Sequence, residues 1–480
     1  MHVHIDLRSG IGLSREIYAQ LRDAILEGRL RTGDQLPASR ELARDLGVSR
    51  TTVTVAYHRL AGEGFVTARV GAGTFVSERA VRLPANGDDR REGGVLVPRP
   101  LWDRIPVAAP FERRARFDFR TGLPDASLFP HTTWRRLIRR QLRAEEASGE
   151  SVYGGPAGHE GLRAAIARHV ALARGLKASP EDVIITNGTQ QALDVIARVL
   201  LAPGDAVAIE DPGYPPPRHL FHSQGMRVAC VPVDEEGLVA GAVPPDTRLV
   251  YVTPSHQYPL GVAMSLPRRL SLLSRAEQDD IAIIEDDYDS EFRLAGPPIE
   301  PLATLDQSGR VVYVGSFSKT LLPTLRLGFI VTPPSLREAL RKAKFVADWH
   351  TSTLPQATLA RFIDDGGFAR HIRKVSRVYR VRHEKIVEVL RRDFDEHLEV
   401  VPAAAGLHVA AFARALPAER IRAVARRASE SGVAVHRLSS FTVEAPSPPG
   451  LVLGYGAIPT EDVEEGLALL LAAFEREVEG

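Results

Sequence analysis

Six short, largely apolar runs recur through the middle of the chain: Val183 to Thr186, Ala206 to Ile209, Leu249 to Thr253, Ile281 to Glu285, Val311 to Val314 and Gly328 to Val331. Helical stretches separate them. A strand that is apolar on both faces is covered on both faces, as strands are in a parallel sheet wrapped by helices. The spacing therefore predicts an α/β fold with a parallel sheet. Several of the runs end in polar residues or glycine, and open α/β sheets hold ligands at those carboxyl ends.

The chain has 480 residues, room for about three folding units. Residues 1–78 are patterned and nearly free of proline. Residues 79–115 mix Pro84, Pro98, Pro100, Pro106 and Pro110 with Gly87, Gly93, Gly94 and charge pairs, a linker composition. Residues 116–480 hold the strand-and-helix alternation, with a smaller subdomain expected largely from the last ~110 residues. The 61 basic and 60 acidic residues leave a net charge of +1, so any DNA binding must come from a local arrangement. The single cysteine, Cys230, excludes an intrachain disulfide and a cysteine-built metal site, and no metal is expected. Met1 to Gly10 shows no apolar signal core. The apolar stretch Leu467 to Phe474 falls far short of the ~20 residues a membrane helix needs. A cytoplasmic protein is expected.

Near the N-terminus, Ile17, Leu21, Ile25 and Leu30 mark an amphipathic first helix. Ser39 is placed to cap a second helix over 40–46, which Gly47 ends, and Ser49 to cap a third from Arg50 to about Gly62. Helix, glycine turn, helix is the helix-turn-helix pattern. Phe65-Val66-Thr67 and Thr74-Phe75-Val76 then read as a hairpin, or wing. Ser49, Arg50, Thr51 and Thr52 put hydroxyls and a guanidinium at a helix N-terminus suited to phosphate, and Arg50 is long enough to reach guanine. Arg40 opens the preceding helix and can pin the register. The alternative for a short polar run is a capped surface helix; the whole helix-turn-helix-wing series favours a DNA reader. Through Leu36-Pro37-Ala38-Ser39-Arg40-Glu41-Leu42-Ala43, Val48-Ser49-Arg50-Thr51-Thr52-Val53 and Gly71-Ala72-Gly73-Thr74-Phe75-Val76, this stretch resembles the winged-helix domain of GntR-family bacterial regulators. That resemblance implies DNA contacts at Arg40, Ser49, Arg50, Thr51, Thr52 and Gly71. Thr54 stands where such proteins often carry a further arginine.

Lysine is scarce, with six in the chain, and one of them, Lys319, follows the strand at Val311 to Val314 in Ser316-Phe317-Ser318-Lys319. A desolvated lysine there can join an aldehyde as an imine. Alone it reads as a surface lysine at a helix start. It is accompanied by Asp286, suited to hold a pyridine nitrogen protonated, and by Tyr288, suited to a phenolic oxygen. Asn187-Gly188-Thr189-Gln190-Gln191, before a helix expected from Ala192, makes a phosphate cradle. Arg326 can grip the same phosphate, and Tyr214 can lie over an aromatic ring.

From about Phe117 to Glu477 the chain resembles fold-type I aminotransferases of class I. The pairing with a winged helix, together with Thr253-Pro254-Ser255-His256-Gln257-Tyr258-Pro259 and Glu285-Asp286-Asp287-Tyr288-Asp289-Ser290-Glu291-Phe292-Arg293, resembles the MocR subgroup of GntR regulators. The resemblance implies pyridoxal 5'-phosphate joined to Lys319, with Asp286 at its ring nitrogen, Tyr288 at its phenolic oxygen and Tyr214 on its face. Its phosphate would go to Gly188, Thr189, Gln190, Ser316, Ser318 and Arg326. Tyr153 matches a tyrosine that reaches the partner subunit's cofactor, so a homodimer is implied. Two positions depart from the enzymes: Tyr258 replaces the asparagine before Pro-x-Gly, and Val452 stands where an arginine grips the substrate carboxylate, unless Arg437 supplies that contact.

Three functions follow: a pyridoxal phosphate-holding transcription regulator that senses an amine, an amino acid or pyridoxal phosphate itself; an active aminotransferase with an appended DNA reader; or a DNA reader on a dimerisation scaffold. Lys319, Asp286, Tyr288 and Arg326 argue against the scaffold, and Val452 and Tyr258 against the efficient enzyme, so the regulator is the expected reading, with residual transamination as a side activity.

Overall fold

The structure, a computed structural model, describes residues 5–7, 12–78, 98–106, 115–148, 152–294, 299–444 and 448–479. The chain divides into two units, Met1–Arg99 and Pro100–Gly480. The expected linker falls largely outside the described residues; within it, Pro100–Arg104 forms a 3-10 turn.

In the first unit, α1 (Leu13–Leu26), α2 (Ser39–Asp45) and α3 (Arg50–Gly62) pack with a three-stranded antiparallel sheet, in the order β1 (Gln35–Leu36), β3 (Gly73–Val76), β2 (Val66–Arg69). Ile17, Leu21, Ile25, Leu42, Val53 and Leu60 are buried together, which is the 3.6-residue spacing at work. The cap of α2 differs from expectation. Ala38 holds that position without a side-chain bond, and Ser39 lies inside the helix. Ser49 does cap α3, accepting the Thr52 N–H at 3.1 Å.

The second unit is built on an eight-stranded sheet. Its strands are β5 (Val183–Thr186), β6 (Ala206–Asp211), β7 (Arg227–Asp234), β8 (Gly237–Leu238), β9 (Thr247–Val252), β10 (Ala282–Asp287), β11 (Val311–Ser316) and β12 (Gly328–Val331), after the short β4 (Phe117–Asp118). Their order is β5-β12-β11-β10-β9-β6-β7-β8. The sheet is not wholly parallel. β12 runs antiparallel to both β11 and β5, and β8 folds back on β7. The reason is connection length: a parallel crossover needs a dozen or more residues, usually a helix. Residues 317–327 carry only the 3-10 turn Pro323–Leu325, so the chain must return alongside β11.

A second, antiparallel sheet follows, ordered β13 (Leu398–Val400), β14 (His408–Ala413), β17 (Gly450–Gly454), β16 (His436–Arg437). β15 (Val433–Ala434) pairs with β4, which ties the start of the unit to its end. Phe117, Phe119, Tyr379, Leu390, Leu453 and Phe474 are buried in one cluster there. Among the described residues, no helix is long and apolar enough to cross a membrane.

Candidate functional site

The acidic run Glu285-Asp286-Asp287 shows how the sheet sorts its side chains. Successive residues of a strand point to opposite faces. Glu285 accepts the backbone N–H groups of Leu302 and Ala303, both at 2.9 Å. Asp287 accepts Arg174 Nε at 2.8 Å and the Tyr313 hydroxyl at 2.6 Å. Asp286, between them, lines a cavity of about 440 Å3 at the carboxyl ends of β9, β10 and β11. A larger depression, about 550 Å3, is lined by Leu172, Phe368, Glu291 and Arg373 among others and contains neither Lys319 nor Asp286.

Lys319 lies in the return from β11 to β12, and its Nζ donates to the Gly122 carbonyl at 2.8 Å. Burial lowers its pKa, with Asp289 and Asp286 pulling the other way, so its amine is the more readily neutral. The Tyr251 hydroxyl donates to Asp286 Oδ2 at 2.8 Å. Asp286 Oδ1 is buried and has no hydrogen-bond partner among the described residues. Burial pushes this carboxyl up to about 7. An orphaned buried oxygen of this kind fits a cationic N–H.

Thr189, Gln190, Ser316, Ser318 and Arg326 line the same cavity, as do Tyr214 and Tyr288. The helix Thr189–Leu200 begins at Thr189 rather than Ala192, because Gly188 (φ 78°) makes the turn into it. Arg326 Nη2 donates to the Asn187 carbonyl at 2.8 Å, against Gly188. Arg326 has a left-handed backbone (φ 50°), uncommon outside glycine and a sign of local constraint. Tyr288 is turned to His256: its hydroxyl lies 3.0 Å from the His256 carbonyl and 2.9 Å from Nδ1. To serve a cofactor's phenolic oxygen it must exchange one of these bonds. Tyr153 does not line the cavity. It is 77% exposed and stacks on Trp349 at 4.9 Å.

Several residues here escaped the sequence reading. Asp348 accepts Asn187 Nδ2 at 2.7 Å and Gln191 Nε2 at 2.8 Å, and is paired with Lys344, which braces the glycine turn. Asp289 holds His256 through Nδ1. Thr121, Tyr258, His408 and His436 also line the cavity, with Leu407. The Tyr258 and Thr121 hydroxyls are 2.6 Å apart. Histidine placement has no short-range sequence signal: His408 and His436 open the short strands β14 and β16 and reach the cavity only because those strands pair beside β17. Val452 is fully buried against Leu260, Leu438 and Phe441.

On the first unit, Arg40, Arg50 and Thr51 are exposed along α2 and α3, and Gly71 turns the wing with φ 76°. The Ser49 and Thr52 hydroxyls lie 2.8 Å apart within the cap. Thr54 bonds back to the Arg50 carbonyl at 2.9 Å.

Residues 13–76 match the bacterial regulatory proteins of the gntR family, and residues 124–468 match aminotransferase class I and II. The chain is 39% identical over 479 residues to the probable rhizopine catabolism regulatory protein MocR of Rhizobium meliloti, covering 98% of this chain and 95% of that protein. It is 31% identical over 442 residues to the HTH-type pyridoxine biosynthesis transcriptional regulator PdxR of Corynebacterium glutamicum, covering 92% and 91%. Among solved structures, LysN, the α-aminoadipate aminotransferase of Thermus thermophilus complexed with N-(5'-phosphopyridoxyl)-L-leucine, matches with TM-score 0.70 and 30% identity over 79% of this chain and 97% of that one. Pyridoxal phosphate fits the residues here, since the lone Asp286 Oδ1 can accept from a cationic N–H and Lys319 shares its cavity. The chain thus belongs to the gntR family of regulators, in the MocR type that joins a winged helix-turn-helix to a pyridoxal phosphate-dependent, aminotransferase-like domain of mixed α/β fold.

Proposed function

We propose that this regulator works as a cytoplasmic homodimer, reads an operator through 1–78, and alters that binding when a small molecule occupies the cavity of 116–480, with 79–115 as the connection. The observation that carries the reading is the bare Asp286 Oδ1 in the cavity that also holds Lys319. Lys319 is the attachment point, and its depressed pKa supplies a neutral amine. Pyridoxal phosphate, when bound there, supplies an electron-withdrawing ring. Asp286, held by Tyr251, keeps the ring nitrogen protonated. Tyr214 covers the ring face, and Tyr288 addresses the phenolic oxygen. Gly188, Thr189, Gln190, Ser316, Ser318 and Arg326 receive the phosphate, and Tyr153 reaches toward the partner subunit's site.

Arg40 and Arg50 contact operator bases or phosphates, joined by Ser49, Thr51, Thr52 and Gly71. Because Ser49 and Thr52 already satisfy the cap, their contacts come through α3 backbone N–H groups as much as through hydroxyls. An effector changes operator affinity only by as much as its affinities for the two arrangements of the protein differ. The buried Val452 removes the family's carboxylate grip and so disfavours an efficient aminotransferase for ordinary amino acids. The test is operator affinity by fluorescence anisotropy, with the cofactor removed, restored and titrated with amines. Affinity that ignores both cofactor and amines would sink the sensing role.

A further inference from the structure

Resting on that reading, the chemistry of the effector can be narrowed. The cations among the cavity's lining residues are Lys319 and Arg326, and Arg326 belongs to the Gly188 end. Arg437 cannot substitute for the missing guanidinium. On β16 it stands opposite Leu451, while its neighbour His436 stands opposite Val452 and lines the cavity. Adjacent strand residues face opposite ways, so His436 takes the inward place. Arg120, next to the lining Thr121, is held by Asp118 through Nε at 2.8 Å and Nη2 at 2.6 Å.

Beside Lys319 and Arg326 the lining offers the imidazoles of His408 and His436 and the hydroxyls of Thr121 and Tyr258, and the tautomers are set by hydrogen bonds, the Thr121 hydroxyl lying 3.0 Å from His436 Nδ1. His408 Nε2 lies 3.0 Å from the Pro259 carbonyl, so it carries the proton and leaves Nδ1 as an acceptor. His436 Nδ1 accepts the Thr121 N–H at 3.3 Å, so its proton sits on Nε2, a donor. Burial holds both imidazoles below their ordinary pKa, hence neutral at pH 7. One neutral acceptor, one neutral donor and the hydroxyls of Thr121 and Tyr258 complement groups that both give and take a hydrogen bond. A carboxylate only accepts, and it would bury a charge in a lining whose cations, Lys319 and Arg326, are assigned to the amine and to the Gly188 turn.

We infer that the effector is a hydroxylated amine without an α-carboxylate, its amine toward Lys319 and its hydroxyl groups read by His408, His436, Thr121 and Tyr258. The test uses three probes of one carbon skeleton: serinol, in which the serine carboxylate is a second hydroxymethyl group; L-serine; and isopropylamine, which has neither hydroxyl. Calorimetric titration of the cofactor-loaded full-length protein should show serinol binding at least about tenfold tighter than either of the others, the sum of two modest hydrogen bonds. His408→Phe and His436→Phe should each shrink the preference over isopropylamine to about threefold or less. Serine binding as tightly as serinol would mean that a carboxylate grip exists. Equal binding of serinol and isopropylamine, or no binding of any of the three to loaded protein, would also overturn the inference. The wild-type series stands if a variant fails to fold. A protein that neither takes up pyridoxal phosphate nor binds DNA would instead overturn the reading on which the inference rests.

Discussion

Asp286→Asn should act with opposite signs on the empty and the loaded protein. Without cofactor, the Asp286 carboxyl is buried with Oδ1 bare and its pKa lifted from 3.8 to about 7. The folded state then holds a proton that the unfolded chain has released, so this group's contribution to stability falls as pH rises from about 4 to about 7. At pH 8 the penalty is about 4 kcal/mol at most, three pKa units at ~1.4 kcal/mol each. Asparagine is isosteric, carries no charge and still accepts the Tyr251 hydroxyl. The cofactor-free variant should therefore be more stable than wild type at pH 8 and little changed at pH 4. With cofactor, the charge-assisted bond from the ring N–H to Oδ1 is lost, and the asparagine Nδ2 now in that place can only donate a neutral bond, of about half the strength, to an unprotonated ring nitrogen. That is a loss of about 1–2 kcal/mol, or roughly 5- to 30-fold in affinity. Denaturant melts of cofactor-free protein at both pH values, with absorbance titrations of pyridoxal phosphate, measure both effects. A variant that is less stable at pH 8 and binds cofactor unchanged would refute the argument.

Other perturbations test separate parts. Gly188→Ala places a Cβ 3.0 Å from Arg326 Nη2 on a backbone at φ 78° and ψ 178° that side chains avoid; it should cost about 1–3 kcal/mol in thermal or denaturant stability and weaken cofactor uptake. Arg50→Ala should cost about 1–3 kcal/mol at a specific operator if it meets guanine, and the Arg40→Ala, Arg50→Ala pair should lose operator binding in gel-shift assays; normal affinity in the pair would remove α3 from the interface. Ser49→Ala removes the cap bond to the Thr52 N–H and should lower the stability of the DNA reader by about 1 kcal/mol, read by denaturant melting.

The parts of this molecule that were legible in its sequence are those with a local cause. Val183–Thr186 and Gly328–Val331 form strands at the expected residues because both of their faces are apolar. Ser49 caps α3 because its side chain stands three residues before the Thr52 N–H, a separation set by the helix start itself. The direction of β12 was not legible, since an apolar run reads the same either way and only the short return after Lys319 reverses it. Nor was the cap of α2, where Ser39 sits one residue inside the helix. Asp286 was expected just past a strand that in fact runs on through Asp287, and Arg326 from its spacing after Lys319; all three line one cavity. The Gly122 carbonyl on Lys319 is a backbone group with no side-chain signature, and Tyr251, His408 and His436 join the cavity only through pairing between distant strands.

The attachment of pyridoxal phosphate to Lys319 is tested most directly by borohydride reduction of the loaded protein followed by peptide mass mapping. With six lysines in the chain, the assignment is unambiguous. The account predicts a phosphopyridoxyl group on the peptide containing Lys319 and its disappearance in Lys319→Ala, which should still bind DNA. An unlabelled protein, or a label on Lys177, Lys342, Lys344, Lys374 or Lys385 in place of Lys319, would contradict it.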